Sequence, residues 1–121
     1  MKGSIVAIVT PMHENGEINF NDLEKIINWH VNNGTNGIVA VGTTGESPSL
    51  NFKEHIDVIK KTIEFVAGRI PVIAGTGANS TSEAIDLCKA SEDVGAEFSL
   101  TVVPYYNKPT QSGLLKHFEI I

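Results

Sequence analysis

Hydroxyl and glycine residues follow a short apolar run at Gly42–Ser47, where the sequence reads Gly-Thr-Thr-Gly-Glu-Ser. The apolar run itself, Ile38–Val41, predicts a buried strand, and in α/β folds ligands bind at the carboxyl ends of strands. Glycine lets the backbone approach a small anion closely, and the free N–H groups that follow can hold a carboxylate. Thr43 and Thr44 are therefore candidate site residues. Taken alone, the segment fits a purely structural connection between a strand and a helix equally well.

Other residues that could do chemistry give weaker signals. Gly75-Thr76-Gly77 also follows a predicted strand, but it lacks the third glycine of the dinucleotide-binding pattern, so a nucleotide-binding domain is only an alternative interpretation. The four histidines have no metal-ligand spacing, and a single cysteine, Cys88, excludes a cysteine-rich metal site. We therefore expect no metal site. We also expect Cys88 to be a small core residue and His117 to be a surface residue.

Composition favours one globular domain. The chain has 121 residues, of which 41% are hydrophobic and 19% are charged, enough for a single core. The formal net charge is −5 and the nine basic residues are scattered, so nucleic acid is not an expected partner. No segment approaches the roughly 20 apolar residues that span a bilayer, and the amino terminus lacks the features of a signal peptide. These features predict a cytoplasmic protein with no membrane partner.

Strand-like and helix-like segments alternate four times along the chain, which predicts an α/β fold with a parallel sheet and right-handed crossovers. The predicted strands are Ser4–Thr10, Ile38–Val41, Ile70–Ala74 and Phe98–Val103. The first of them is almost wholly apolar, as expected of a strand that is covered on both faces. The predicted helices start at Asn21 or Asp22, at Asn51, at Ser80 or Thr81, and near Ser112. The second helix is expected to bury Ile56, Ile59, Ile63 and Val66.

Four motifs carry a resemblance to a known family. They lie in order at Gly3–Met12, Gly42–Ser47, Pro71–Asn79 and Pro104–Pro109. With these motifs, the whole chain resembles the dihydrodipicolinate synthase family of pyruvate-dependent class I aldolases. The resemblance implies a (β/α)8 TIM barrel, of which residues 1–121 would form four β/α units, the amino-terminal half of the barrel domain.

The resemblance also implies an activity. Members of the family are lyases that condense pyruvate with L-aspartate semialdehyde on the path to diaminopimelate and lysine. They form a Schiff base between pyruvate and a lysine, and they need no added cofactor. By position, Thr43 matches the threonine of a proton-relay triad, and Thr44 matches the residue that holds the pyruvate carboxylate. Tyr106 matches the triad tyrosine that one subunit lends to its neighbour, which implies a homo-oligomer, either a dimer or a tetramer.

A lysine feedback site accompanies the active site in this family, and it lies at the same dimer interface. The positions that match it are Ser47, His55, Asn79, Glu83 and Tyr105. Pro48 and Phe52 depart from the feedback-sensitive type, since Phe52 replaces a histidine. The resemblance thus implies lysine as an inhibitor, with an affinity that these two departures would change.

The Schiff-base lysine of the family follows the sixth strand and has no counterpart here. Among the eight lysines of the chain, only Lys108 falls in a predicted strand-end loop. Half a barrel would also leave its first and last strands with unpaired edges. Either further strands outside these residues complete the barrel, or two copies associate. The alternative to the synthase is therefore a truncated, non-catalytic half-barrel that binds lysine or self-associates.

Overall fold

A computed structural model describes all residues of the chain, Met1–Ile121. Its strands are β1 (Ile5–Ala7), β2 (Gly37–Ala40), β3 (Val72–Gly75) and β4 (Phe98–Leu100). Its helices are α1 (Phe20–Asn32), α2 (Phe52–Val66), α3 (Thr81–Asp93) and α4 (Gln111–Ile120), with a 3₁₀ turn, η1, at Ser47–Ser49. The strands form one parallel sheet in the order β1-β2-β3-β4, and a helix follows each strand. The predicted α/β class and the parallel alternation are confirmed.

The core lies between the two central strands and the helices α1 and α2. Every residue of β2 and β3 is buried, because each of these strands has a strand on both sides. The residues of the main hydrophobic cluster are Ile8, Leu23, Ile27, Ile38, Ala40, Val41, Val58, Ile59, Val66, Val72 and Ala74.

The two outer strands differ from the prediction. β1 has three residues instead of the predicted seven, and Ile5 within it is 42% exposed. β4 is equally short, and all three of its residues are exposed. The expectation that the first strand is covered on both faces was wrong: Ile5 and Ala7, which share one face, are exposed, and only Val6 on the other face packs against the core.

The ends of the first two helices are set by asparagine caps. Asn51 caps α2 as predicted, and its side chain and that of Glu54 bond reciprocally in a capping box. α1, by contrast, is capped by Asn19 instead of the predicted Asn21 or Asp22, because the Asn19 side chain accepts a hydrogen bond from the Asp22 N–H.

The buried face of α2 is rotated relative to the predicted stripe. Ile59 and Val66 are buried as expected, but Ile56 and Ile63 are only partly buried. The remaining fully buried side chains of α2 are His55, Val58 and Thr62. The two polar ones are tolerated because each has a hydrogen-bond partner, a backbone carbonyl at Gly75 for His55 and at Val58 for Thr62.

The last two helices pack against each other through a buried histidine. The expectation that His117 lies at the surface was wrong: it is buried in α4, and its Nδ1 lies 2.9 Å from the hydroxyl of Thr81. Cys88 is half-buried and so only partly a core residue. α4 begins after Thr110, which accepts a hydrogen bond from the Gly113 N–H, slightly earlier than predicted. None of the helices combines the length and apolar character that crossing a membrane requires.

Candidate functional site

The segment that follows β2 begins with a strained residue. Val41 has φ 54°, in the left-handed region that β-branched residues rarely adopt. Its carbonyl lies against the Cα of Gly75, where a methyl group would overlap it. The bend therefore depends on a glycine at the end of β3, and it turns the following residues across the carboxyl end of the sheet.

Backbone donors of this segment are free to bind a ligand. The N–H groups of Thr43, Thr44 and Gly45 make no hydrogen bond within the chain, and both threonines are exposed. The Glu46 N–H donates to the Thr43 carbonyl over 3.1 Å and closes a tight turn. Successive free N–H groups in such a turn form a concave site for an anion, and a carboxylate is an anion that fits this chemistry.

A cavity of about 210 Å³, which we call the strand-end cavity, opens beside this segment. Its lining residues come from the ends of three strands and the turns that follow them: Val41, Gly42, Thr43, Ser47, Pro48, Gly75, Gly77, Leu100, Val102 and Tyr105. Thr43 thus lines the cavity, whereas Thr44 does not. No lysine, arginine or histidine is among the lining residues, so within this chain the cavity lacks an amine for covalent chemistry.

Tyr106 does not line the strand-end cavity. It is 88% exposed, whereas Tyr105 beside it lines the strand-end cavity. Two hydrogen bonds hold this loop: the Tyr105 N–H donates to Asn79 Oδ1 over 2.8 Å, and the Asn107 side chain donates to the Asn79 carbonyl over 3.3 Å. The structure therefore does not bring Tyr106 together with Thr43 in a cavity of the same chain. Lys108 is exposed and does not line the strand-end cavity, so nothing supports it as a substitute for a Schiff-base lysine.

A second cavity of about 190 Å³, which we call the helix-side cavity, collects all five residues matched to the lysine site. Its lining residues are Ser47, Pro48, Leu50, Phe52, His55, Gly77, Ala78, Asn79, Glu83, Leu87 and Tyr105. Pro48 and Phe52, the two departures from the family pattern, also line it. The wall shared by the two cavities consists of Ser47, Pro48, Gly77 and Tyr105. The cavities are therefore neighbours, and a ligand in one would contact residues of the other.

The charges of the helix-side cavity favour a cationic ligand. Glu83 supplies its only carboxylate, and no lysine or arginine lines it. His55 donates a hydrogen bond from Nε2 to the Gly75 carbonyl over 2.6 Å. Burial lowers the pKa of His55, against the opposing effects of this hydrogen bond and of the Glu83 charge. The histidine is therefore held neutral, and the carboxylate is left to pair with a ligand amine.

Sequence reasoning missed several residues that shape the site. Thr10 is buried and donates a hydrogen bond to the Gly45 carbonyl over 2.7 Å. Thr76 is fully buried, and its hydroxyl lies 3.0 Å from that of Thr101. A signal was present for Thr10, because a hydroxyl at the end of an apolar strand, directly before Pro11, needs a buried partner. No group of three or more His, Cys, Asp or Glu side chains is arranged to hold a metal ion.

Comparison with known proteins gives a consistent result. The sequence matches the profile of the dihydrodipicolinate synthetase family over residues 1–121. A 4-hydroxy-tetrahydrodipicolinate synthase from Nitrosospira multiformis is 61% identical over 121 residues, which are 100% of this chain and 40% of that protein. The corresponding protein from Neisseria gonorrhoeae is 54% identical over 121 residues and is covered to 42%. This chain thus spans about two fifths of the length of these relatives.

Solved structures agree with the sequence comparison. The chloride-inhibited dihydrodipicolinate synthase from Acinetobacter baumannii, in complex with pyruvate, has a TM-score of 0.95 at 59% identity, covering 97% of this chain and 40% of that one. The synthase from Cyanidioschyzon merolae with lysine bound has a TM-score of 0.93 at 42% identity, covering 98% and 40%. These neighbours are TIM barrels, so the four β/α units described here correspond to half of such a barrel, as expected from the resemblance.

Proposed function

Since the chain belongs to the dihydrodipicolinate synthetase family, we propose that residues 1–121 are the amino-terminal part of a longer lyase. This enzyme condenses pyruvate with L-aspartate semialdehyde in the biosynthesis of diaminopimelate and lysine. The observation that carries the proposal is the turn after β2, where Thr43 and Thr44 offer exposed hydroxyls and free backbone N–H groups. A site for a small 2-oxo acid needs such preorganised donors for the carboxylate.

The residues of the turn take different roles in this proposal. Thr44 and the neighbouring N–H groups hold the pyruvate carboxylate, while Thr43 passes protons as part of a chain of hydroxyl groups. The lysine that condenses with the pyruvate carbonyl, with loss of water, comes from the part of the enzyme outside these residues. Loss of a methyl proton then gives the enamine whose carbon attacks the aldehyde. The absence of any lysine from the lining of the strand-end cavity supports this division.

Tyr106 completes the relay of a neighbouring subunit in our proposal. An 88% exposed tyrosine that lines no cavity of its own chain is suited to such a role. The enzyme is then a homo-oligomer, a dimer or a tetramer, and it works in the cytoplasm. A Tyr106→Phe variant that keeps full activity would remove this residue from the relay.

Lysine is the inhibitor that we propose for the helix-side cavity. Glu83 would pair with a lysine amine, and the side chains of Asn79 and Ser47 would hydrogen-bond to the amino-acid head group. Phe52, which is half exposed, replaces a polar wall with an apolar one. Activity of the longer enzyme should therefore fall with added lysine, and a flat inhibition curve at high lysine would rule this ligand out.

A second candidate function is a non-catalytic half-barrel that binds lysine or self-associates. It is favoured by one observation: all five residues matched to the lysine site line the helix-side cavity, whereas no lysine lines the strand-end cavity. Lysine binding by the 121-residue chain without any chemistry on pyruvate, together with sedimentation as an oligomer, would support this alternative.

Reductive trapping distinguishes the two candidates. Pyruvate and borohydride are added to the family-length protein and, separately, to the 121-residue chain, and each intact mass is measured. We expect one reduced pyruvate adduct on the longer protein, trapped more slowly in a Thr44→Val variant, and none on the short chain. A longer protein without an adduct would contradict the synthase proposal. An adduct on the short chain would point to Lys108, and Lys108→Gln would then abolish it.

A further inference from the structure

Thr10 makes the single hydrogen bond that ties the turn at Thr43–Glu46 to a distant part of the chain. Its hydroxyl donates to the Gly45 carbonyl over 2.7 Å, across 35 positions of sequence. The other hydrogen bonds of these four residues stay within residues 43–49. Thr10 is only 5% exposed, so water does not compete freely for its hydroxyl.

The hydrogen bond from Thr10 is made to the Gly45–Glu46 peptide, and the N–H of the same peptide closes the turn. The Gly45 carbonyl and the Glu46 N–H belong to the same planar peptide. One side of this peptide accepts from Thr10, and the other side donates to the Thr43 carbonyl over 3.1 Å. The Thr43 carbonyl in turn shares a peptide with the free N–H of Thr44. The orientation of the Thr10 hydroxyl is thus transmitted through two rigid peptides to the Thr44 N–H, which has no hydrogen-bond partner within the chain.

Packing removes the other freedom of the turn. A methyl group on Gly45 would lie 3.0 Å from the Cα of Val41 and 3.2 Å from the carbonyl oxygen of Ile8. Gly45 is therefore pressed against the ends of β1 and β2 and cannot move inward. The close packing of Gly45 fixes the position of the turn, and the hydrogen bond from Thr10 fixes the rotation of the Gly45–Glu46 peptide.

We propose that Thr10 is a positioning residue for carboxylate binding, which holds the Thr44 N–H in the direction that the carboxylate of a 2-oxo acid requires. This inference rests on the proposed function of the turn. It assigns Thr10 no contact with substrate. Its effect should therefore appear in the affinity for the acid, and the affinity for the second substrate should not change.

Two substitutions separate the hydroxyl from the volume of the side chain. Thr10→Val keeps the shape and removes the donor, whereas Thr10→Ser keeps the donor and removes a methyl group. In the family-length enzyme, Thr10→Val should raise the KM for pyruvate roughly three- to tenfold, the worth of one neutral hydrogen bond. Thr10→Ser should stay close to the wild-type KM, and the KM for aspartate semialdehyde should not change in either variant. An unchanged pyruvate KM in Thr10→Val, equal losses in both variants, or a parallel rise in both KM values would overturn the proposal.

Hydrogen exchange in the 121-residue chain gives a reading that needs no activity. The Glu46 amide, which donates to Thr43, should exchange roughly three- to tenfold faster in Thr10→Val than in the wild type or Thr10→Ser. Amides of β2 and β3 serve as the control for folding and should not change. If Thr10→Val fails to fold, Thr10→Ala is compared with Thr10→Ser, because these two variants differ only in the hydroxyl. Equal exchange of the Glu46 amide in all variants would refute the proposal, whereas a wild-type enzyme that traps no pyruvate would refute only the proposed function.

Discussion

The central and outer strands of the sheet have similar apolar sequences but opposite environments. Every side chain of β2 and β3 is buried, whereas β4 is exposed throughout and β1 is exposed at two of its three residues. The difference comes from neighbours, since β2 and β3 have a strand on each side and the outer strands do not. Burial in this fold is therefore a property of position in the sheet, and β propensity alone does not determine it.

The candidate site is built mainly at the carboxyl ends of the buried central strands, β2 and β3. The turn that carries Thr43 and Thr44 leaves the carboxyl end of β2, where Val41 rests against Gly75 of β3. His55 of α2 hydrogen-bonds to the carbonyl of the same glycine. Rigid central strands thus position the polar groups, and the exposed outer strands contribute mainly Leu100 and the residues after it to the strand-end cavity.

The contact between Val41 and Gly75 gives one of the largest expected effects. A Gly75→Ala substitution would place a methyl group on the Val41 carbonyl and near the Gly42 nitrogen. Both are backbone atoms of a buried strand end and cannot retreat. Because overpacking a rigid core costs about 1–3 kcal/mol and occasionally more, we expect a loss of about 3 kcal/mol in the free energy of unfolding. Urea denaturation of the 121-residue chain measures it.

Gly37 supplies a matched control in the neighbouring strand. A methyl group there would meet its nearest atom, a side-chain carbon of Ile5, at 3.4 Å, an ordinary contact. Gly37→Ala should therefore change the free energy of unfolding by less than about 1 kcal/mol. Equal losses in the two variants would mean that the carboxyl end of the central strands is no more tightly packed than the rest.

Local patterns and the family motifs predicted the order of elements and some of their ends. The Asn51 cap was predicted from an asparagine directly before a helix-like segment, and in the structure Glu54, three residues later, completes a capping box within the same turn. The family resemblance matched Ser47, His55 and Glu83 to one ligand site, and in the structure these three residues line one cavity. What could be matched to motifs or to short-range spacing was therefore available from the sequence.

The features that the sequence did not reveal depend on partners far along the chain. Thr10 can hydrogen-bond to the Gly45 carbonyl, and His55 to the Gly75 carbonyl, only after the strands have paired. Val41 was predicted to be the last extended residue of the apolar run Ile38–Val41, yet beside Gly75 it adopts φ 54°, which is unusual for a β-branched residue. Such long-range constraints override local preference, and no single window of sequence contains them.

The buried histidine predicts a pH dependence of intermediate size. In the folded chain burial lowers the pKa of His55 below its ordinary value of 6.5. Below pH 6.5 the unfolded chain therefore binds a proton that the folded chain does not, and stability should rise with pH in this range. The contribution of neutral His55 is fully present above that pH and is lost as pH falls through it toward the lower folded pKa. The free energy of unfolding, measured by urea between pH 5 and pH 8, tests this.

Two variants isolate the histidine responsible. His55→Gln keeps a side-chain N–H donor but cannot titrate, so its stability should depend less on pH than that of the wild type. His13→Gln, at an exposed position of the first loop, should leave the wild-type dependence intact. If His55→Gln and the wild type lose stability in parallel on acidification, the buried ring is not the group that titrates.

The smallest expected loss of stability comes from a substitution in the outer strand β4, and it is compared with one in the central strand β2. Leu100 in β4 is 54% exposed, so Leu100→Ala should cost the 121-residue chain only about 0.5 kcal/mol or less. Ile38 in β2 is fully buried, and Ile38→Ala should cost about 2–5 kcal/mol in the same urea titration. In the family-length protein, a strand beside β4 would bury Leu100, and the cost of Leu100→Ala should then approach that of Ile38→Ala. A small loss there as well would mean that β4 stays exposed in the family-length protein, whereas a large loss in the short chain would mean that a second copy already covers this strand.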